Sequence, residues 1–390
     1  MKKIRFAVLG SGGRWISVDN VYPQHPQAEF VALCDHAEGK AEAAAAHYKE
    51  SMGKDIEVYH SYEELIKNAS YDAIIIDSDP DCQADYAVNE MHRGIHVQTE
   101  VPAAYTIDQC WKLVDAVEKT GCKYQLAEQA RYWYFISQWR EMAKRGEFGK
   151  IYYAEAEYLH YEPRWDWFRN KKTRLTMWTD DPKYYDDPEW EPSWRGAKAL
   201  AEPIWYLPHS LSPLLSITGG RIDRVSCVGT RKDSYASKGF KARDLECALM
   251  YNTDDVIFSL RAGFTSPYGR KKETGAHWYQ VKGTEKCVEW ARTDLEDDCG
   301  KSYTLAGGWE KHPEWVCSDP NAPEEFKRAL HGGSDYYPMY YLMDAILNDK
   351  QPPMDVYNAV ETAAPAIMAM ESASKGGELM YVPDFRRNKK

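Results

Sequence analysis

Residues 4–15, IRFAVLGSGGRW, join an apolar run of strand length to a glycine-rich turn. In such a turn Gly10 lets the chain bend tightly, and Gly12 lets the backbone approach a pyrophosphate bound at the N-terminus of the next helix. Trp15 stands where the usual fingerprint has its third glycine. We therefore expect a dinucleotide on this turn, held by Gly10, Gly12, Gly13, Arg14 and Trp15.

Short apolar runs alternate with helical stretches as far as residue 126. The predicted strands are 4–9, 29–34, 58–59, 73–76, 96–99 and 123–126, with helices at 41–49, from 62 onward, at 84–93 and at 107–119. Strands that alternate with helices predict βαβ units, a parallel sheet and the doubly wound architecture. We predict an α/β Rossmann domain over residues 1–126.

The period changes near residue 151, where strand-like alternation begins. Predicted strands are 151–161, 223–228, 247–251, 256–262 and 278–281, and helices lie near 210–217, 336–348 and 358–374. This pattern predicts an α+β domain with an open, mostly antiparallel sheet over residues 127–390, which would bind the substrate. Residues 163–205 have no clear period, and we expect a long ordered loop over the active site.

Asp35 indicates which dinucleotide is bound. It ends the second strand about 20 residues beyond the turn, where a carboxylate accepts hydrogen bonds from the adenine ribose and repels a 2′-phosphate. NAD is therefore favoured over NADP, although Asp35 as a helix cap is an open alternative. Ser78 follows the fourth strand at the same sheet edge. We expect further cofactor contacts from Glu100 and Gln129.

Composition excludes several function classes. A net charge of −11 argues against nucleic acid or an anionic membrane as a partner. No apolar run approaches the roughly 20 residues of a membrane helix. The nine cysteines are scattered without a CxxC pair, which indicates reduced thiols and no zinc site. For the same reason we expect no bound metal. The start MKKIRFAVLG has no signal-peptide core, so we expect a cytoplasmic protein.

Aromatic residues are unusually polar in type, with 14 Trp and 28 Tyr against 10 Phe. These side chains could fill a half-exposed sheet surface, or they could line a carbohydrate site by stacking on sugar faces. Both interpretations stay open. An exposed sheet face rich in aromatics would also suit a homo-oligomer.

The segment HVQTEVP at residues 96–102 resembles the H-V-x-x-E-K-P segment of the glucose–fructose oxidoreductase and myo-inositol dehydrogenase (Gfo/Idh/MocA) family. The resemblance covers essentially the whole chain and implies this two-domain fold. In that family the lysine helps to move the proton of the oxidised hydroxyl group. Val101 occupies that position here and cannot do so.

Other segments look more like one branch of that family, the NAD-dependent glycosidases of glycoside hydrolase family 109. They are EVPAA at 100–104, CWKLV at 110–114, LAEQ at 126–129, AEYLH at 156–160, YLPHSLSP at 206–213 and HGGSD at 331–335. Ser210 and Ser212 replace glycines of the branch, and the loop at 163–200 looks unrelated. The sugar, its anomer and the leaving group are therefore not carried over.

The resemblance implies a redox route to glycoside cleavage. This route does not need the pair of carboxylates that direct hydrolysis requires, and no persuasive pair is present in the sequence. The sugar would be oxidised at C3 by NAD⁺, lose its C2 proton, eliminate the C1 substituent, add water and be reduced again. His209 is the expected base for the C3 hydroxyl group. The other expected roles are proton exchange by Tyr158 and Tyr206, orientation of substrate or nicotinamide ribose by Glu128, and substrate binding by His160 and His331.

Each of these side chains could instead be an ordinary packed residue, and the two glycines after His331 could form a plain turn. Two other functions also stay open: an NAD-dependent sugar 3-dehydrogenase and a non-catalytic NAD-binding sensor. Val101 argues against the dehydrogenase. Tyr158, Tyr206 and His209 argue against the sensor.

Overall fold

The computed structural model of the chain describes residues 3–11, 25–160, 167–179, 181–192, 202–235, 242–266 and 273–386. Its first six strands are β1 (Ile4–Leu9), β2 (Ala28–Cys34), β3 (Glu57–Tyr59), β4 (Ala73–Ile76), β5 (His96–Thr99) and β6 (Tyr124–Leu126). They form one parallel sheet in the order β3-β2-β1-β4-β5-β6. The order reverses beside β1, so the sheet has the switch point at which dinucleotides bind. The predicted Rossmann fold is confirmed.

Helices cover both faces of this sheet. They are α1 (Lys40–Met52), α2 (Tyr62–Asn68), α3 (Pro80–His92) and α4 (Ile107–Thr120). The side chains of β1 alternate between the faces, because successive residues of a strand point to opposite sides. Phe6 and Val8 belong to one buried cluster, and Ala7 and Leu9 belong to the other.

The remaining elements build the second region. The helices are α5 (Tyr134–Lys144), α6 (Pro208–Thr218), α7 (Glu324–Lys327), α8 (Tyr336–Asn348) and α9 (Val356–Ser374). The strands are β7 (Ile151–Leu159), β8 (Trp167–Asn170), β9 (Thr176–Trp178), β10 (Trp190–Pro192), β11 (Ile222–Gly229), β12 (Leu245–Asn252), β13 (Ile257–Gly263), β14 (His277–Gly283), β15 (Lys286–Glu289), β16 (Gly300–Thr304), β17 (Gly308–His312) and β18 (Met380–Tyr381).

Nine of these strands form one open sheet in the order β17-β16-β15-β14-β7-β13-β12-β11-β18. Every neighbouring pair is antiparallel except β7 and β13, which run parallel. The predicted α+β region with a mostly antiparallel sheet is therefore confirmed. Among the described helices, none combines the length and the apolar character that a membrane crossing requires.

The prediction of a long ordered loop over residues 163–205 is wrong in part. Within the described residues of that stretch, β8, β9 and β10 form a small antiparallel sheet in the order β10-β8-β9. Phe168 is buried at its centre against Tyr184 and Tyr185. Strands of three or four residues are too short to show a period of two, which explains the error.

Candidate active site

A cavity of about 1460 Å³ runs from the carboxyl edge of the parallel sheet to the large sheet. It brings together nearly all of the predicted site residues that the structure describes: Gly10, Asp35, Ser78, Glu100, Gln129, Tyr158, His160, Tyr206, His209 and His331. Glu128 lies behind this surface. The other predicted cofactor residues, Gly12, Gly13, Arg14 and Trp15, lie outside the described residues.

Gly10 lies where β1 passes closely over the end of β4. Its φ is 99°, and a Cβ atom there would come within 1.9 Å of the carbonyl oxygen of Asp77. Only glycine fits both the dihedral angle and the space. A glycine at this position therefore allows β1 and β4 to approach each other beneath the cavity.

Asp35 directly follows β2 and presents its carboxylate at the cavity. Oδ2 accepts hydrogen bonds from the backbone N–H and the hydroxyl group of Ser11, at 2.8 and 2.6 Å. Oδ1 accepts from the N–H of Ala37 at 2.8 Å. The N-cap of α1 is Gly39, so Asp35 is not the cap of that helix. Its place suits a ribose diol.

Gln129 and Glu100 complete this wall of the cavity. The amide oxygen of Gln129 is buried and accepts no hydrogen bond from the described residues. The loop that carries Glu100 is fixed by Gln83, whose Nε2 donates to the carbonyl oxygens of Glu100 and Pro102 at 2.6 and 3.0 Å. A dinucleotide fits this set, because the tight glycine turn, the ribose carboxylate and an unused amide acceptor line one cavity.

His209 and Glu128 form a close pair. Nδ1 of His209 lies 2.7 Å from Oε2 of Glu128. The contact is close, but the two groups are not aligned for a linear hydrogen bond. The other oxygen of Glu128 accepts from the N–H of Ala130 at 2.8 Å. With the carboxylate at Nδ1, Nε2 of His209 is the nitrogen left to act as a base.

Glu128 itself is 0% exposed. It therefore cannot reach a substrate or a nicotinamide ribose in this conformation, as its predicted role requires. Its carboxylate contacts His209 and the N–H of Ala130 instead. The sequence could not show this, because the two residues come from distant parts of the chain and meet only when α6 packs beside the end of β6.

Tyr158, Tyr206 and His209 form a ladder of nearly parallel rings. The centroid of Tyr158 lies 5.2 Å from that of His209 and 5.9 Å from that of Tyr206, at interplanar angles of 29° and 17°. His160 meets Tyr158 edge-on at 4.6 Å. Strand β7, the short turn Pro203–Tyr206 and the first turn of α6 thus bring four predicted residues together.

His331 borders the same cavity from the segment before α8. Its Nδ1 lies 2.9 Å from Oδ2 of Asp335, and its carbonyl oxygen accepts from Nε1 of Trp133 at 3.0 Å. Gly332 and Gly333 have φ values of 66° and 86°, so they do form a tight turn. The turn interpretation and the cavity position of His331 are compatible.

His277, the first residue of β14, was not among the predicted site residues. Its ring meets Tyr158 edge-on at 4.8 Å and His209 edge-on at 5.6 Å. Burial, together with the neighbouring histidines His209, His160 and His331, lowers the pKa of His277 well below its ordinary value. The predicted strand began one residue later, and no motif marks this histidine.

The small sheet of β8–β10 is tied to the Rossmann domain beside the cavity. Both terminal nitrogens of Arg169 bond the carboxylate of Asp79 at 2.6 Å, and Arg169 is only 8% exposed. The N–H of Glu38 donates to the carbonyl oxygen of Thr173 at 2.8 Å. Arg169 lines the cavity on the side of Asp35. This pair was not predicted either, because its two residues are far apart in the sequence.

Among the described residues, no group of three or more His, Cys, Asp or Glu side chains is arranged to hold a metal ion.

Two family models match the chain. Residues 4–128 match an oxidoreductase family with an NAD-binding Rossmann fold (GFO_IDH_MocA), and residues 283–390 match the C-terminal domain of glycosyl hydrolase 109. Both matches agree with the resemblance inferred from the sequence motifs. They confirm that resemblance, and NAD as the cofactor.

Curated relatives align over nearly the full chain. A glycosyl hydrolase family 109 protein of Parabacteroides distasonis is 26% identical over 99% of this chain and 87% of its own length. An alpha-N-acetylgalactosaminidase of Tannerella forsythia is 27% identical over 98% of this chain and 86% of its own.

Solved structures share the fold at low sequence identity. An oxidoreductase from Agrobacterium radiobacter in complex with NAD⁺, L-tartaric acid and magnesium has a TM-score of 0.72 at 12% identity, over 97% of this chain and 98% of the other. The WlbA dehydrogenase from Bordetella pertussis in complex with NADH and UDP-GlcNAcA has a TM-score of 0.69 at 17% identity, over 98% and 100%.

Proposed function

Because residues 4–128 match the NAD-binding Rossmann fold of an oxidoreductase family and residues 283–390 match the C-terminal domain of glycosyl hydrolase 109, we propose that the chain cleaves a glycoside by an NAD-dependent redox cycle. The observation that carries this proposal is the ring ladder of Tyr158, Tyr206 and His209 in the cavity that Asp35 also lines. Three groups that can exchange protons thus share one space with the expected cofactor edge.

We assign NAD binding to residues 1–126 and substrate binding to residues 127–390. Gly10, Asp35, Ser78, Glu100 and Gln129 would hold the dinucleotide, together with the predicted cofactor residues Gly12, Gly13, Arg14 and Trp15. When bound, NAD⁺ supplies a hydride acceptor for the sugar and, once reduced, a hydride donor. The chain's own residues then have to bind the sugar and move protons.

His209 would take the proton of the C3 hydroxyl group through Nε2 as that carbon is oxidised. The carboxylate of Glu128, 2.7 Å from Nδ1, would stabilise the resulting imidazolium and hold the ring in place. The same group would return the proton when the C3 carbonyl is reduced. A buried carboxylate behind a histidine is the arrangement that this exchange requires.

Tyr158 and Tyr206 would exchange the remaining protons. A carbonyl at C3 acidifies the C2 hydrogen, and loss of that proton expels the C1 substituent, whose oxygen must be protonated. Addition of water at C1 and of a proton at C2 reverses this step and leaves the free sugar. The rings of His209, Tyr206 and His160 all lie beside that of Tyr158, so their proton-exchanging groups surround one space within the cavity.

Two observations favour a cofactor that stays bound through the cycle. Val101 lines the cavity where the related dehydrogenases carry the lysine that moves the hydroxyl proton. The buried Arg169–Asp79 pair fastens the small sheet beside the Asp35 end of the cavity. A cofactor that both accepts and returns a hydride has no need to leave.

The test uses p-nitrophenyl α-N-acetylgalactosaminide, since one relative is an alpha-N-acetylgalactosaminidase. Purified protein is incubated with this glycoside and with other aryl glycosides in D₂O, while nitrophenol and NADH are followed. We expect nitrophenol release, deuterium at C2 of the sugar and no net NADH. NADH accumulation without cleavage would instead indicate a 3-dehydrogenase, and no turnover on any glycoside would favour a sensor.

We also propose a homo-oligomer that pairs through the outer face of the large sheet. Ile257 lies in register with Tyr251 on one side and Tyr153 on the other, and Leu249 lies two residues before Tyr251 on the same face of β12. Ile257 and Leu249 are exposed. Light scattering after size exclusion should give a multiple of the 44.9 kDa chain mass, and Ile257→Glu should shift it to the monomer.

The cytoplasm is the compartment we propose. Nine cysteines are present in the chain, all within the described residues, and all are free thiols. Such thiols persist in a reducing compartment.

A further inference from the structure

His277 occupies a central place in the cavity without a role in the proposed proton exchange. It is 7% exposed and lines the cavity from the start of β14. The rings of Tyr158 and His209 lie at 4.8 and 5.6 Å, and Trp133 closes another side at 5.0 Å. A polar ring in such a place needs a chemical explanation.

Tyr279 determines which nitrogen of His277 carries the proton. The hydroxyl group of Tyr279 donates to the carbonyl oxygen of His209 at 2.7 Å. Its only proton is therefore used, and toward Nδ1 of His277, 3.0 Å away, the tyrosine oxygen can only accept. Nδ1 must carry the hydrogen.

Nε2 of His277 is consequently a lone-pair acceptor. Burial and the nearby histidines lower the pKa of His277 well below its ordinary value, so the ring is neutral. Among the described residues, Nε2 has no hydrogen-bond partner, and it is not one of the unpartnered atoms that are shut off from solvent. The ring therefore faces the cavity with an unused acceptor.

We propose that His277 binds substrate, with Nε2 accepting a hydrogen bond from a sugar hydroxyl group on a carbon next to the one that His209 acts on. The inference rests on the proposed function. A bare acceptor selects a hydroxyl group and disfavours a carbonyl oxygen or an ether at the same position. The 5.6 Å between the two rings suits hydroxyl groups on neighbouring carbons.

The test compares His277→Phe, which keeps a ring but removes the acceptor, with His277→Gln, which keeps an acceptor oxygen. Calorimetry on protein loaded with NADH, which cannot oxidise the sugar, measures the binding of N-acetylgalactosamine. We expect the phenylalanine variant to bind about ten- to a hundredfold more weakly and the glutamine variant less than about tenfold more weakly. The affinity for NADH should be unchanged in both, and thermal melting confirms that each is folded.

Kinetics with p-nitrophenyl α-N-acetylgalactosaminide separate this inference from the proposed function. We expect His277→Phe to raise KM more than it lowers kcat. If the wild-type protein cleaves the glycoside and both variants keep its KM and its sugar affinity, or lose them equally, the inference is refuted and the function stands. If the wild-type protein cleaves no glycoside, the function fails and the inference falls with it.

Discussion

Glu128→Gln tests the most specific element of the proposed site. The amide keeps the shape of the carboxylate, and its oxygen can still accept from the N–H of Ala130. The change removes the negative charge and the acceptor oxygen that lie 2.7 Å from Nδ1 of His209. The variant should therefore fold and bind NAD like the wild type.

The expected loss follows from the charge that His209 gains when it accepts a proton. Opposite charges whose centres are about 4 Å apart attract by about 4 kcal/mol at an effective dielectric constant near 20. The side chain of His209 is 12% exposed, so solvent screens part of this attraction and the expected loss is about 2–3 kcal/mol. At about 1.4 kcal/mol for each factor of ten, kcat should fall roughly 30- to 150-fold.

The assay is steady-state release of nitrophenol, with kcat and KM determined separately. Glu118→Gln is the matched control, since Glu118 is a carboxylate that bonds the hydroxyl group of Tyr357 and does not line the cavity. It should stay within about twofold of wild type. A kcat for Glu128→Gln within threefold of wild type, or a change in KM alone, would refute a role for Glu128 in stabilising protonated His209.

Three further predictions concern the cofactor and the fold. Asp35→Ser should weaken NAD binding at least about tenfold and improve NADP binding, because the ribose acceptor and the repulsion of a 2′-phosphate are both lost. Fluorescence titration measures both affinities, and equal losses for both cofactors would contradict the assignment. Arg169→Ala should speed NAD dissociation about ten- to a hundredfold in stopped-flow measurements, and Asp79→Ala should do the same if the pair retains the cofactor. Burial and the neighbouring Glu202 raise the pKa of Glu246 to about 8, so this carboxyl group should stabilise the fold below about pH 4.5 and lose that contribution as pH rises toward 8. Thermal melting should therefore show a smaller decline over that pH range in Glu246→Gln than in wild type, and identical profiles would contradict it.

Local patterns were enough to predict the Rossmann domain. Each βαβ unit places an apolar strand, a turn and a helix close together in the sequence, so β5 was predicted to the residue at His96–Thr99. Tyr158, Tyr206 and His209 were found because short motifs carry them. The structure adds that their rings stack in one cavity.

Features made by distant contacts could not be predicted in the same way. Strands β8–β10 are too short to show a period, and α5 was missed although its buried face holds Phe135, Ile136 and Trp139. The contact of Glu128 with His209 and the position of His277 depend on how strands and helices from separate parts of the chain pack. No local pattern encodes such contacts.

The redox cycle with a retained cofactor is tested most directly by a glycoside that carries deuterium at both C2 and C3. The substrate is p-nitrophenyl α-N-acetylgalactosaminide labelled at these two carbons, hydrolysed in ordinary water, and the released sugar is analysed by NMR. We predict that the sugar loses deuterium at C2, where a proton exchanges with solvent, and keeps it at C3, where the hydride returns within the same active site. Retention at both carbons would show direct hydrolysis, and loss at C3 would show that the reduced cofactor leaves during the cycle; either result would contradict the account.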